Sequence, residues 1–206
     1  MTAVSVADEP VRVSGQLEES SASKGRVLRI NQSLRIVLIT GGPAAGKTRL
    51  AQRLYGRLPK TWRFVSLDHF IEIALRNPAP KTDWPERTVQ IAEVSLDYWR
   101  KEEVVNVLVE GVIQNEAQVR RLCKAFGVGW PSDQARLIQL ERSFDTHRRR
   151  RSDKSAWQPH LEGPARDHAL ASLEARVPAE IPGARVVVTD QLSEEQVLEA
   201  VWRQLE

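Results

Sequence analysis

The sequence predicts an α/β fold of three layers, a parallel sheet with helices packed on both faces. Three observations predict it. Short apolar runs alternate along the chain with stretches whose apolar residues fall at helical spacing. The runs are apolar almost throughout, as strands covered on both faces must be. The run Leu34–Thr40 leads into Gly41-Gly42-Pro43-Ala44-Ala45-Gly46-Lys47-Thr48, a full match to G-x-x-x-x-G-K-[ST], which joins a strand to a helix. Five strands with helices between them make a sheet with right-handed crossovers.

Residues 1 to about 25 are polar, with Glu18-Glu19-Ser20-Ser21-Ala22-Ser23 at their centre, and read as a flexible tail. Arg26–Ile30 alternates and reads as a short edge strand turning at Asn31-Gln32-Ser33. Residues 1–33 are thus a tail with one edge strand, and residues 34–206 the folded domain. After the glycine-rich loop, Leu50, Leu54 and Leu58 set a helix. Phe64–Leu67 is the second strand and runs into Asp68. A helix from Ile71 stops at Asn77-Pro78, and Ala79–Pro85 is a proline-interrupted loop that holds Trp84. Glu86–Glu103 is helical, with Val89, Ala92, Leu96 and Trp99 on one face. Val104–Val109 is the third strand and closes on Glu110-Gly111.

Ala117–Phe126 is an amphipathic helix, Gly127–Ser132 a turn and Ala135–Leu140 the fourth strand. Residues 142–165, with Arg148-Arg149-Arg150-Arg151, read as a lid, and Asp167–Ala175 as a helix beyond it. Arg185–Thr189 is the fifth strand. Ser193-Glu194-Glu195-Gln196 is a capping box that starts the last helix, whose apolar face is Val197, Leu198, Val201, Trp202 and Leu205.

At 206 residues the chain suits one domain. Its 30 Lys and Arg against 27 Asp and Glu leave a formal charge of +3, which fits anionic phosphates without calling for a nucleic-acid partner. Cys123 stands alone, which excludes a disulfide framework and a Cys-based zinc site and points to a reducing cytoplasm. The amino terminus has no basic start or apolar core of a signal peptide, and no apolar run reaches the length of a membrane span.

The loop carries the chemistry. Glycines let backbone N–H groups turn inward around a phosphate chain, and the following helix adds its unpaired donors and partial positive charge. All of Gly41, Gly42, Pro43, Ala44, Ala45, Gly46, Lys47 and Thr48 are therefore assigned to a nucleoside triphosphate. Lys47 reaches its β- and γ-phosphates, and the Thr48 hydroxyl ligates Mg²⁺. Asp68, one residue past a strand end, is placed to deprotonate a substrate hydroxyl; capping the next helix is the competing role. Glu110 ends an apolar strand, where an acid holds a Mg²⁺-bound water or orients the nucleophile; a solvated carboxylate at a loop entrance is the alternative. Gly111 allows close backbone approach to a ligand.

Among the four adjacent arginines, Arg148 and Arg151 share a helix face and are the pair to close over a transferring phosphoryl group. Arg149 is assigned to the nucleotide, and Arg142 is a further candidate. The other readings of the cluster are a solvated helix face or a nucleic-acid patch. Thr189-Asp190-Gln191 is placed to touch the nucleotide base through backbone groups, with a turn into the last helix as the competing role of Asp190. Trp84 and Trp157 lie in loop-like segments where they line a substrate pocket, with core or loop packing the competing role.

This succession of phosphate loop, Asp after the second strand, acid after the third, arginine-rich lid after the fourth and Thr-Asp after the fifth resembles the P-loop kinases of nucleotides and small molecules. The resemblance covers residues 34–206. Leu58-Pro59-Lys60-Thr61-Trp62 through Asp68-His69-Phe70-Ile71-Glu72 is similar to the antibiotic phosphotransferases of the chloramphenicol type, in which the corresponding Asp is thought to deprotonate the substrate hydroxyl. Asp153-Lys154-Ser155-Ala156-Trp157 resembles tunicamycin-resistance proteins. The resemblance implies the strand order 2-3-1-4-5, ATP with Mg²⁺ as phosphoryl donor, and a small acceptor bound between the second and third strand ends. Glu110 stands where many of these kinases have Asp. The reading that follows is an ATP-dependent kinase of a small-molecule hydroxyl. Its rivals are a toxin-like kinase of a nucleotide sugar and a nucleotide-dependent regulatory or nucleic-acid-associated ATPase. Leu140-Glu141-Arg142-Ser143 lacks the Asn-Lys-x-Asp signature of a G protein.

Overall fold

The computed structural model describes residues 12–13, 31–42, 45–70, 84–141 and 180–206. The expected edge strand at Arg26–Ile30, the helix from Ile71, the lid arginines, Trp157 and the helix at Asp167–Ala175 lie outside them. The elements, in chain order, are β1 (Arg12–Val13), β2 (Ile36–Gly41), α1 (Lys47–Arg57), β3 (Trp62–Ser66), a 3₁₀ turn (Leu67–Phe70) and α2 (Trp84–Lys101). Then follow β4 (Asn106–Glu110), α3 (Glu116–Ala125), β5 (Ala135–Glu141), β6 (Arg185–Val188) and α4 (Glu194–Arg203).

The six strands form one sheet in the order β1-β6-β5-β2-β4-β3, and every neighbouring pair is parallel. Counted from β2, the five main strands stand in the order 2-3-1-4-5, as expected. The sixth strand was not expected where it lies. Arg12–Val13, within the polar tail, pairs Arg12 with Val186 and Val13 with Val187 on the outer edge of β6. A backbone ladder needs only N–H and C=O groups, so the apolar pattern that marks the other strands is missing from this one.

The central strand explains the layers. Side chains alternate across a strand, so a fully apolar strand must be covered on both faces. Ile36 and Leu38 join one core with Val89, Ala92 and Leu96 of α2 and Val119, Leu122 and Cys123 of α3. Val37 and Ile39 join the other with Leu50, Ala51 and Leu54 of α1 and Leu198, Val201 and Trp202 of α4. Thus α2 and α3 cover one face, and α1 and α4 the other. Along β2 all six residues are buried.

Helix ends follow local rules. The capping box of α4 forms as read: the Ser193 side chain accepts from Gln196 N, and the Gln196 side chain accepts from Ser193 N. Asn115 caps α3 by accepting from Gln118 N at 3.0 Å. α2 starts earlier than expected, at Trp84, so Trp84 and Pro85 belong to its first turn and not to a loop. Proline is tolerated there because the first N–H groups of a helix have no intrahelical acceptor to lose. The helix ends at Lys101, and Glu103 turns to a φ of 58° to release the chain toward β4.

Candidate active site

In a parallel sheet all strands end on the same side, and the loops that leave those ends build the site. β2 delivers the glycine-rich loop, β3 delivers Asp68, and β4 delivers Glu110. β2 and β4 are hydrogen-bonded neighbours, as are β4 and β3, with Ile39 opposite Glu110 and Ser66 opposite Glu110. Glu110 therefore sits between the loop strand and the strand of Asp68.

Gly46 is the residue before α1, with φ 89° and ψ 11°. A Cβ there would meet nothing within 4 Å, so the left-handed backbone, not space, requires glycine. This conformation starts α1 at Lys47. The Lys47 side chain is buried, and its Nζ donates to the Gly42 carbonyl at 3.0 Å. A lysine folded back on its own loop holds its ammonium within the loop, where an entering phosphate can take it over.

Glu110 is 0% exposed, so it is not a solvated carboxylate. Its two oxygens are both engaged. Oε1 accepts from the Ser66 hydroxyl, and Oε2 accepts from Thr48 Oγ1 at 3.4 Å. Burial pushes its carboxyl above the ordinary value, and the charge of Asp68 adds to that push. The Ser66 hydrogen bond, the Lys47 ammonium and the Thr48 hydrogen bond act in the opposite sense without overcoming it. Asp68 is half-buried in the 3₁₀ turn just beyond β3. The structure thus brings Lys47, Thr48, Asp68 and Glu110 into one electrostatic neighbourhood.

Three features support the loop after β4. The buried Thr40 hydroxyl donates to the Ile113 carbonyl and accepts from Ile113 N, each at 3.0 Å. Gly111 has φ 152°, and a Cβ there would lie 2.5 Å from the Cβ of Leu67. The close approach at Gly111 is therefore made by Leu67, the residue before Asp68. On the α2–α3 side, Gln118 accepts from Gln114 N at 2.7 Å and donates to Glu86 at 2.9 Å, while Arg121 bridges Glu86 and Glu93. This network ties the same loop to the first turns of α2.

A cleft opens beside the glycine-rich loop. Gly46, Leu50, Thr189, Leu192 and Val197 line it, together with Arg49 and Glu194, which pair at 2.7 Å. Thr189, read as the last residue of the fifth strand, lies one residue past its end at Val188, and its hydroxyl donates to the Glu141 carbonyl at 3.1 Å. A cleft with an apolar lining next to a phosphate loop suits a nucleobase.

The donor set at Thr48 and Glu110 is made of hard oxygens, which suits Mg²⁺. Among the described residues no group of three or more His, Cys, Asp or Glu could hold a metal. Mg²⁺ keeps most of its waters and takes its other ligands from one or two protein oxygens and the phosphates. Pro43 and Ala44 of the loop, and Arg142, Arg148, Arg149 and Arg151, fall outside the described residues. Ser66 and Thr40 were missed in the sequence. Their signal is a hydroxyl inside a strand that is otherwise apolar near its carboxyl end.

No family model matches the chain, and no curated protein sequence matches it. Solved structures do. A sugar kinase from Janibacter sp. HTCC2649 aligns with a TM-score of 0.56 at 20% identity, over 84% of this chain and 95% of that one. A gluconokinase from Sinorhizobium meliloti 1021 aligns at 0.58 and 12% identity, over 85% and 93%. The tunicamycin resistance protein of Deinococcus radiodurans aligns at 0.54 and 18% identity, over 83% and 95%. At these identities the likeness is one of fold.

Proposed function

We propose that this chain, which carries the P-loop small-molecule kinase fold, is an ATP-dependent phosphotransferase that moves the γ-phosphoryl group to a hydroxyl of a small molecule. The observation that carries the reading is the convergence of Lys47, Thr48, Glu110 and Asp68 at the carboxyl ends of three adjacent strands. Neighbours in fold named sugar kinase and gluconokinase support an acceptor that offers a hydroxyl. The acceptor classes that fit are a nucleoside, a sugar derivative or an antibiotic.

Each residue has a task. The loop N–H groups and Lys47 bind the phosphate chain, Lys47 exchanging the Gly42 carbonyl for phosphate oxygens. Thr48 would hold Mg²⁺ directly and Glu110 would hold it through a bound water, and the ion would neutralise charge on the β- and γ-phosphate oxygens. Asp68 accepts the proton of the acceptor hydroxyl as its oxygen attacks. Arg148 and Arg151 close over the transferring group, and Arg149 contacts the nucleotide. The base lies in the cleft between Gly46 and Thr189.

The test is ATP consumption by the purified chain across nucleosides, sugars and antibiotics. An acceptor that stimulates turnover establishes the activity. With that acceptor, Asp68→Asn lowers kcat by roughly 10²–10⁴ while ATP still binds, and Lys47→Ala removes activity. ATP binding with no acceptor-dependent turnover, and no effect of Asp68→Asn on basal turnover, would favour the regulatory ATPase.

A further inference from the structure

We propose that Ser66 is a positioning residue whose hydroxyl fixes the Glu110 carboxylate, so that Thr48 presents an oxygen lone pair to the Mg²⁺ of a bound nucleotide. The proposal rests on the nucleotide site described above and deepens it.

Ser66 and Glu110 are register partners on adjacent parallel strands, so the pair is set by the sheet itself. Ser66 is 3% exposed and Glu110 0%, so water does not compete for either group. A hydroxyl has one proton to give, and Ser66 gives it to Glu110 Oε1. That bond fixes the plane of the carboxylate and leaves Oε2 facing Thr48 Oγ1 at 3.4 Å. An ionised carboxylate only accepts, so the Thr48 proton must point at Oε2 and the Thr48 lone pairs must point away from it. The side away from Glu110 is the side on which a hydroxyl can ligate a cation.

Two charges act on Glu110: Lys47 attracts it and Asp68 repels it. Without the Ser66 hydroxyl, Oε1 is a buried acceptor with no donor, and the carboxylate is free to turn toward Lys47. Thr48 then loses its fixed proton acceptor. The ammonium that should meet the phosphates acquires a competitor. Outer groups that orient metal-binding ones typically matter by about 10–100-fold in metal affinity.

The experiment is calorimetric binding of a non-hydrolysable ATP analogue to the full chain, with Mg²⁺ and with chelator. The wild-type chain gains affinity when Mg²⁺ is present. Ser66→Ala loses about tenfold or more of that gain, while affinity in chelator stays within about twofold. Ser66→Thr, which restores the hydroxyl, recovers the gain. Ser66→Cys keeps the volume with a weaker donor and shows the same Mg²⁺-selective loss if the alanine variant does not fold. Equal losses with and without Mg²⁺, or no loss in Ser66→Ala and Ser66→Cys, would overturn the proposal while leaving the nucleotide site intact. A wild-type chain that binds no analogue in either condition overturns both.

Discussion

Two glycines near the site look alike in the sequence and are required for different reasons. Gly46 has open space where a side chain would go and is fixed by its left-handed backbone alone. Gly111 has a positive φ and also a Leu67 side chain where its Cβ would be. Gly46→Ala should therefore cost about 1–2 kcal/mol, the strain of that conformation. Gly111→Ala should cost more, because Leu67 and the Asp68 beside it must move. Guanidinium unfolding of the two variants compares the costs, and a Gly46 cost equal to or above that of Gly111 would refute the distinction. The residues of the site were legible to different degrees. Lys47 and Thr48 follow from a motif that fixes both spacing and chemistry. Glu110 was legible as an acid closing an apolar strand, yet nothing in its neighbours announced that it is wholly buried. Ser66 was not legible, since its partner lies one strand away and strand pairing is a long-range fact.

Among the elements, α4 was read almost whole because its start is written locally in Ser193 and Gln196. Ser193→Ala should destabilise by about 1 kcal/mol, read from the denaturant midpoint. The join between α2 and α3 is the opposite case. Glu86 and Arg121 are 35 positions apart in the chain, and only the fold brings them together. Burial alone would raise the Glu86 carboxyl, but hydrogen bonds from Arg121 and Gln118 outweigh it and hold it below its ordinary value of 4.5. A carboxyl lowered on folding adds stability above its unfolded value, and that contribution is lost as pH falls through the folded one. Glu86→Gln should thus be less stable than wild type at neutral pH, and the gap should close as pH drops below 4.5. A gap constant from pH 7 to pH 3 would show that the ionised form plays no part. The start of α2 at Trp84 was misread because a proline beside a proline-rich loop signals a break, whereas in a first turn it is harmless.

For the molecule as a whole, the strand order was legible through a family likeness, since pairing order cannot be derived from apolar runs alone. A site that spans three adjacent strands, two of them inside the sheet, couples ligand binding to global stability. Mg²⁺ with ATP at a hundred times its dissociation constant should add about 2.7 kcal/mol, a rise in Tm of roughly 5–11 °C for a chain of this size. Lys47→Ala should remove most of that rise, and a scan of both proteins with and without nucleotide checks it. Among the described residues, no helix is long and apolar enough to cross a membrane.

The short pairing of Arg12–Val13 with Val186 and Val187 carries a consequence for how molecules of this protein behave toward one another. A strand with an open flank offers its N–H and C=O groups to any passing chain, and β6 is made of Arg185 and three valines, a sequence well suited to such pairing. The amino-terminal segment occupies that flank. A chain shortened to begin at Asn31 should keep its site and its fold but self-associate as its concentration rises, visible as growing light scatter where the full chain stays clear. A segment whose composition reads as a flexible tail is thus expected to keep the protein colloidally stable by covering that flank.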